Sequence, residues 1–195
     1  MLKHIIFIGI LFVSGYLYLT ERTITHGPGV VAPNAPTQEP AFAIKNPKHK
    51  DFTIRILSKF DMEARVLSKA RYSDKLANIA PMDVVVGWGP MSDERNLNEV
   101  LIKQTDRYFN WQMTNPPIPL HKMVEHTANI HLAPSTPQIK KKIWEIREGH
   151  IVSMKGYLIE VSSGDGWSLK SSTRRNDYGK EASELLWIEE IQLRP

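Results

Sequence analysis

Hydrophobic and polar positions alternate most regularly between Gly149 and Leu193. Ile151, Tyr157, Leu158, Ile159 and Val161 are strand formers, a Ser-Ser-Gly-Asp-Gly turn follows, and Trp167 to Arg175 and Leu185 to Leu193 continue the pattern. This predicts three antiparallel strands, with Gly164-Asp165-Gly166 supplying the positive φ angles of a tight hairpin. Gly156 interrupts the first strand. A missing Cβ there permits a bulge, the device that curls a small sheet towards a barrel.

Upstream, Phe52, Ile54 and Ile56 and then Phe60, Met62, Ala64 and Val66 recur at every second position, which predicts one long bent strand or a pair of strands. Met82 to Trp88 reads as a buried strand ended by Gly87-Trp88-Gly89-Pro90. Asn98 to Gln104 and Arg107 to Met113 are two further strands, and Arg71 to Ile79 is a loop or short helix. One soluble helix is predicted, opened by Ser135 or Thr136 as N-cap with Pro137 in the first turn, and stopped by Gly149. Ile139, Ile143 and Ile146 share its inner face, while Lys140 to Lys142 face solvent. The class is a mainly β (α+β) domain, and the expected architecture is a small OB-like curled sheet or barrel with one packed helix.

Two segments precede that domain, taken as residues 51–195. Ile5 to Leu19 is an almost uninterrupted apolar run behind Lys3 and the terminal amine, with Tyr16 and Tyr18 near its end. At ~1.5 Å per residue the run spans most of a ~30 Å hydrocarbon core. No small-residue cleavage pattern follows it, so residues 1–22 read as an uncleaved transmembrane anchor, with a cleaved secretory signal as the competing reading. The positive charge ahead of it predicts a single-pass inner-membrane protein with its C-terminal domain extracytoplasmic. Residues 23–50 are rich in proline and glycine and read as an extended linker, although Val30, Val31, Phe42 and Ile44 give it a way to lie along the domain.

Composition narrows the chemistry. With 195 residues, 42% of them hydrophobic, the chain can bury a real core. A net charge of +4 with the only basic runs at Lys140 to Lys142 and Arg174-Arg175 argues against nucleic acid as a partner. The absence of cysteine removes disulfides, thiolate metal sites and cysteine nucleophiles.

Three polar clusters remain. His126 and His131 flank Asn129 in E-H-T-A-N-I-H; their spacing of five puts them on opposite faces of a strand, so no metal is assigned and a turn at Asn129 with structural histidines is expected. Trp88 and Asp93 lie in G-W-G-P-M-S-D, which lacks the lysine or serine offset of a phosphate loop. Arg174 and Asp177 form a candidate ion pair or rim. Arg107 with Trp111 and Trp167 would suit stacking on an OB-like sheet. These ten residues are the ligand or partner candidates; no catalytic residue and no cofactor is assigned. An alternative reading is a hydrolase, possibly metal-dependent, using His126 or His131 with Asp83 or Asp93.

The ordered motifs P-x-D-V-V-V-G-W-G-P-M-S-D, Q-x-x-R-Y-F-N-W, H-T-A-N-I-H-L-A-P, S-S-x-x-R-x-D-x-G and E-L-L-W-I-E, with R-T-I-T-H-G-P-G-V-V-A-P-N-A-P before them, resemble a family of uncharacterised bacterial membrane-anchored envelope proteins. The resemblance covers about Arg22 to Leu193 and implies a bacterial envelope location; the anchor and compact β domain lead to the expectation of an envelope protein partner. It implies no activity, and where members often carry cysteine before the glutamate this chain has Ser183. The expectation is a membrane-tethered, non-catalytic binding or assembly module.

Overall fold

The computed structural model describes residues 21–174 and 182–195, with Phe7, Gly9, Ser14 and Gly15 from the N-terminal run. The expected anchor over 1–22 lies almost wholly outside the described residues, and among those described no helix is long and apolar enough to cross a membrane. Asp177, and with it the expected pair with Arg174, also lies outside them.

The chain is mainly β, with a curled sheet and few helices. Its strands are β1 (Thr37–Pro40), β2 (Thr53–Arg71), β3 (Met82–Gly87), β4 (Leu101–Thr105), β5 (Tyr108–Gln112), β6 (Thr127–Pro134), β7 (Ile151–Ser162), β8 (Ser168–Lys170) and β9 (Glu184–Arg194). The large sheet runs β1-β2-β3-β6-β9-β7-β8, and β2 also pairs with β7, so β2, β3, β6, β9 and β7 form a closed ring. Every pairing in the ring is antiparallel except β6 with β9.

The alternating runs from Phe52 to Val66 are one strand, β2, bent by two register shifts. Ile56 pairs with Ile159 and Ser58 with Leu158, which leaves Leu57 as an extra residue; Leu67 is the extra residue between Val66 and Ser68. An extra residue reverses the side to which all later side chains point. Ile54 and Ile56 therefore join an outer cluster with Leu76, Ile79, Val161 and Trp187, whereas Phe60, Met62, Ala64 and Val66 enter the ring interior with Val84, Ile130, Met154 and Leu186. A third shift, with Glu189 as the extra residue, lies opposite Gly156. A Cβ on Gly156 would sit 1.9 Å from the Trp187 carbonyl oxygen, so the bulge expected at this glycine requires it.

Helix α1 (Glu94–Leu97) and helix α2 (Leu120–Glu125) lie in the long β3–β6 connection, and helix α3 (Pro137–Trp144) lies between β6 and β7. The Thr136 side chain caps α3, and Ile143 and Ile146 are fully buried beneath it, as predicted. The predicted end at Gly149 is corrected: α3 closes at Trp144, and tight turns with Glu145 N–H bonded to Lys142 O and Ile146 N–H to Ile143 O carry the chain onward. Gly149 has a different task. Its φ is +88°, and a Cβ there would meet the carbonyl of Ile24 at 1.8 Å.

Ile24 belongs to the proline-rich segment, which is extended and lies along the barrel. Ile24 N–H bonds Glu148 O at 2.8 Å, Gly89 N–H bonds Ala32 O at 2.7 Å, and β1 pairs antiparallel with Ser58 to Asp61 of β2. Of the apolar residues that suggested this course, Val31 and Ile44 are half-buried and Val30 and Phe42 exposed; the fully buried one is Ala32. Removing residues 1–47 should therefore cost stability. A buried polar group left unpaired costs about 1–3 kcal/mol, so the trimmed domain should melt in denaturant with a loss of at least ~3 kcal/mol; an unchanged midpoint would show the strap to be dispensable.

Candidate functional site

β4 and β5 form a hairpin whose two-residue turn is Asp106-Arg107, at φ 51° and 70°. Two-residue hairpins want positive φ at both positions, a place normally filled by Asn or Gly, and a larger side chain there costs about 1–2 kcal/mol. The side chain of Arg107 supplies the compensation. Its Nη1 donates to Asp83 Oδ1 at 2.7 Å and to Ala80 O at 3.0 Å, while Nε and Nη2 grip both oxygens of Asp74 at 2.8 and 2.5 Å. The guanidinium carbon stands 4.0 Å above the Tyr72 ring. One arginine thus joins the hairpin tip, the β2–β3 loop and β3.

The other partners come from strand register. Asp83 of β3 lies directly opposite His131 of β6, and Val85 opposite Asn129. Their neighbours Val84, Ile130 and Leu132 fill the ring interior, so Asp83, Asn129 and His131 face outward beneath the hairpin. Asp83 is 0% exposed and His131 4%. His131 Nδ1 lies 2.9 Å from Asp83 Oδ2, ion-pair distance, but the two atoms are not aligned as a hydrogen bond and neither has another partner. Asn129 Nδ2 donates to Arg107 O at 2.9 Å and to Ser183 Oγ at 3.1 Å; Gln104 links Asn129 to Ser68 of β2.

The electrostatics keep the Arg107–Asp74 pair charged. Hydrogen bonds from Arg107 hold the Asp74 carboxyl below its ordinary range. Burial works against the Arg107 cation, and the carboxylates of Asp74 and Asp83 outweigh it, leaving the pKa raised. Burial and the Asp83 charge push the Tyr72 phenol upward. The arrangement is an ion network in which Asp83, Arg107 and His131 are buried beneath the hairpin, while the Asp74 side chain, 47% exposed, stands at its open edge.

Arg107, Asn129 and His131 are thus brought together, with Asp83 from the hydrolase alternative. The turn expected at Asn129 is corrected: residues 127–134 are the continuous strand β6, and the side chain of Asn129 pins the hairpin. His126 stays apart, with Nδ1 against Lys122 O at 2.8 Å and its ring 6.3 Å from that of Trp88. Trp88 is 3% exposed. Trp111 stacks edge-on with Phe109 in the hairpin, Trp167 packs on Phe52 with Lys75 over its ring, and Arg174 N–H bonds Ser172 Oγ. Among the described residues no group of three or more histidine or acidic side chains stands close enough to hold a metal.

Asp93 is a clasp for the strap. Arg95 bonds both its oxygens and, with Gly29 N–H at 3.1 Å, holds its carboxyl far below the usual range. Next to it, Ser92 Oγ accepts from Val31 and Ala32 N–H, and Glu94 Oε2 accepts from His26 N–H at 3.0 Å and from Arg65 at 2.6 Å. The G-P-M-S-D-E and H-G-P-G-V-V-A motifs are two halves of one junction. Sequence reasoning missed Asp74, Gln104, Ser68 and Glu94 because each acts on a group 25 or more residues away.

An open cleft of about 240 Å³ lies elsewhere, beside the Gly156 bulge, lined by Glu39, Lys59, Asp61, Lys155, Tyr157 and Glu189 among others. The chain matches no family model, no curated protein and no solved structure.

Arg107→Ala should destabilise the domain by about 3–5 kcal/mol, because it strands the buried Asp83 charge. Arg107→Lys should recover only part of this, since an ammonium cannot grip Asp74 with two parallel bonds. Equal melting of both variants and wild type would refute the network.

A second expectation concerns pH. His150 is 7% exposed, its Nδ1 accepts the Arg147 N–H at 3.0 Å, and burial together with Arg147 and Lys69 holds its pKa below the ordinary 6.5. The unfolded chain therefore takes up a proton first as pH falls. The contribution is complete above 6.5 and is lost progressively below it. Melting should drop between about pH 7 and 5, and His150→Gln should flatten that slope.

Proposed function

We propose that this protein is a membrane-tethered, extracytoplasmic binding or assembly module of the bacterial envelope, built on an OB-type barrel and acting without catalysis. The ring order supports the barrel type: numbering only the ring strands, it reads 1-2-3-5-4-1, with strands 3 and 5 parallel and a helix between strands 3 and 4. The observation that carries the non-catalytic reading is the sealing of Asp83, Arg107 and His131, at 0, 8 and 4% exposure. A catalytic acid or base must come within hydrogen-bond reach of its substrate.

The face of strands 2 and 3, where barrels of this type commonly bind, is here covered by the β4–β5 hairpin. One concave surface left open among the described residues is the cleft at the Gly156 bulge, where Lys59 and Lys155 alternate with Glu39, Asp61 and Glu189 around Tyr157. Mixed signs around one tyrosine suit a polar protein segment better than a polyanion. The Asp83–His131 pair is the observation that favours a hydrolase. That reading requires the hairpin to lift and His131 to be indispensable to turnover.

Full-length protein should fractionate with membranes and be cleaved by protease from the extracytoplasmic side. A photo-crosslinker at Tyr157 should capture a discrete envelope protein, and one at Asn110 on the exposed side of the hairpin should not. A soluble full-length product, or a domain cleaved only from the cytoplasmic side, refutes the location; equal crosslinking from both positions refutes the cleft.

A further inference from the structure

We propose that the face of the barrel around Glu21 lies directly on a bilayer surface and binds its anionic lipid headgroups. The inference rests on the anchor reading above. The apolar run ends at Leu19, and two residues later Glu21 is already fixed to the domain, with its carboxylate 2.5 Å from Lys69 Nζ and 3.4 Å from Arg71 Nη2. Lys69 also donates to Ile146 O at 2.8 Å, and from Ile24 onward the chain is bonded along the barrel. Two extended residues reach at most ~7 Å. A chain anchored through Leu19 has no spacer, so whatever surrounds Glu21 must sit at the headgroups.

What surrounds it is suited to that place. The Arg71 guanidinium lies 4.9 Å over the ring of Trp144, which is 36% exposed at the last turn of α3. Lys140 and Lys141, four and three residues before Trp144, are its neighbours on the helix surface. Arg147 lies close enough to help lower the pKa of Glu21, and the carboxylates of the region are those of Glu21, Glu145 and Glu148. Five cations, Lys69, Arg71, Lys140, Lys141 and Arg147, against three acids leave a surplus of two. Glu145 is already paired with Lys142 and Glu21 with Lys69. An exposed tryptophan ringed by lysine and arginine combines the two groups that partition to a headgroup layer: an amphipathic ring and cations that attract anionic lipid.

The chain has no cysteine, so a single introduced thiol reports one position. Spin labels at Lys141→Cys and, as the distant control, Gly164→Cys would be followed in full-length protein reconstituted into nanodiscs. Gly164 lies in the turn beyond the far end of β7, with nothing within 4 Å of a Cβ built there. In discs with roughly 25% phosphatidylglycerol, the label at Lys141→Cys should be shielded from an aqueous relaxation agent by about tenfold. The shielding should fade in pure phosphatidylcholine, in ~1 M salt and with Lys140→Glu added. The Gly164→Cys label should stay exposed throughout. Protein that enters the discs but leaves both labels equally exposed overturns the proposed face while the anchor stands; protein that does not enter them overturns the anchor reading itself. Shielding found in native membranes but absent from phosphatidylglycerol discs assigns the face to a protein partner and also overturns the proposal.

Discussion

The closure of the ring depends on one strand serving two neighbours. β2 has 19 residues, which drawn straight would be about 60 Å long, well beyond the width of a domain this size. It hydrogen-bonds β7 from Thr53 to Arg65 and β3 from Arg65 to Arg71, and the extra residues Leu57 and Leu67 give it the bend and twist to pass from one to the other. The bulge at Glu189 does the same for β9 against Gly156. Each bulge also exchanges inside and outside. That is why the molecule has a ring interior and a second apolar cluster under the 75–78 turn and β8, and not one continuous core.

Closure leaves the outer side of β3 and β6 in need of cover, and the cover is polar. Two apolar layers could have met there; instead Asp83, Asn129 and His131 meet a hairpin that inserts an arginine in a costly left-handed conformation. A buried ion network is a weak source of net stability, because desolvation consumes most of its Coulomb energy, yet it penalises heavily any arrangement that leaves one member unpaired. Its effect is therefore on specificity. The hairpin can sit in only one register over the barrel, since moving it by one residue would leave Asp83 without Arg107 and Asn129 without the Arg107 carbonyl. With that face covered, an open cleft among the described residues lies beside Gly156.

What could be read from the sequence was what is local. The strand at 82–87, the hairpin strands, the Thr136 cap with Ile143 and Ile146 beneath it, and the bulge at Gly156 follow from period, capping and the missing Cβ. The bulges in β2 could not be read, because Ile54, Ile56, Phe60 and Met62 keep the same parity in sequence while their side chains divide between two clusters. The candidate site was legible in part. Arg107, Asn129 and His131 were singled out by residue type, but their meeting is set by register and by a turn between β4 and β5. His126 and His131, five apart, lie on different elements, His126 at the C-terminal end of α2 and His131 within β6. The expected turn at Asn129 failed because a polar Asn-Ile-His stretch is tolerated in a central strand when a second layer satisfies it.

The proline-rich segment, read as an extended linker able to lie along the domain, lies along it for a physical reason that also explains its composition. Pro33, Pro36 and Pro40 lack N–H donors, so the composition that signals absence of regular structure also suits a strand on a sheet edge, where a full set of free donors would invite pairing with another chain. β1 adds four residues to β2, ends at Pro40 and presents only exposed side chains. What holds the segment is backbone N–H groups of Gly29, Val31 and Ala32 meeting Asp93 and Ser92 from sixty or more residues away. No hydrophobic period marks such a junction. Once it is made, the slack between the apolar run and the barrel disappears, and an anchor at residues 1–22 would fix the orientation of the domain as well as its location.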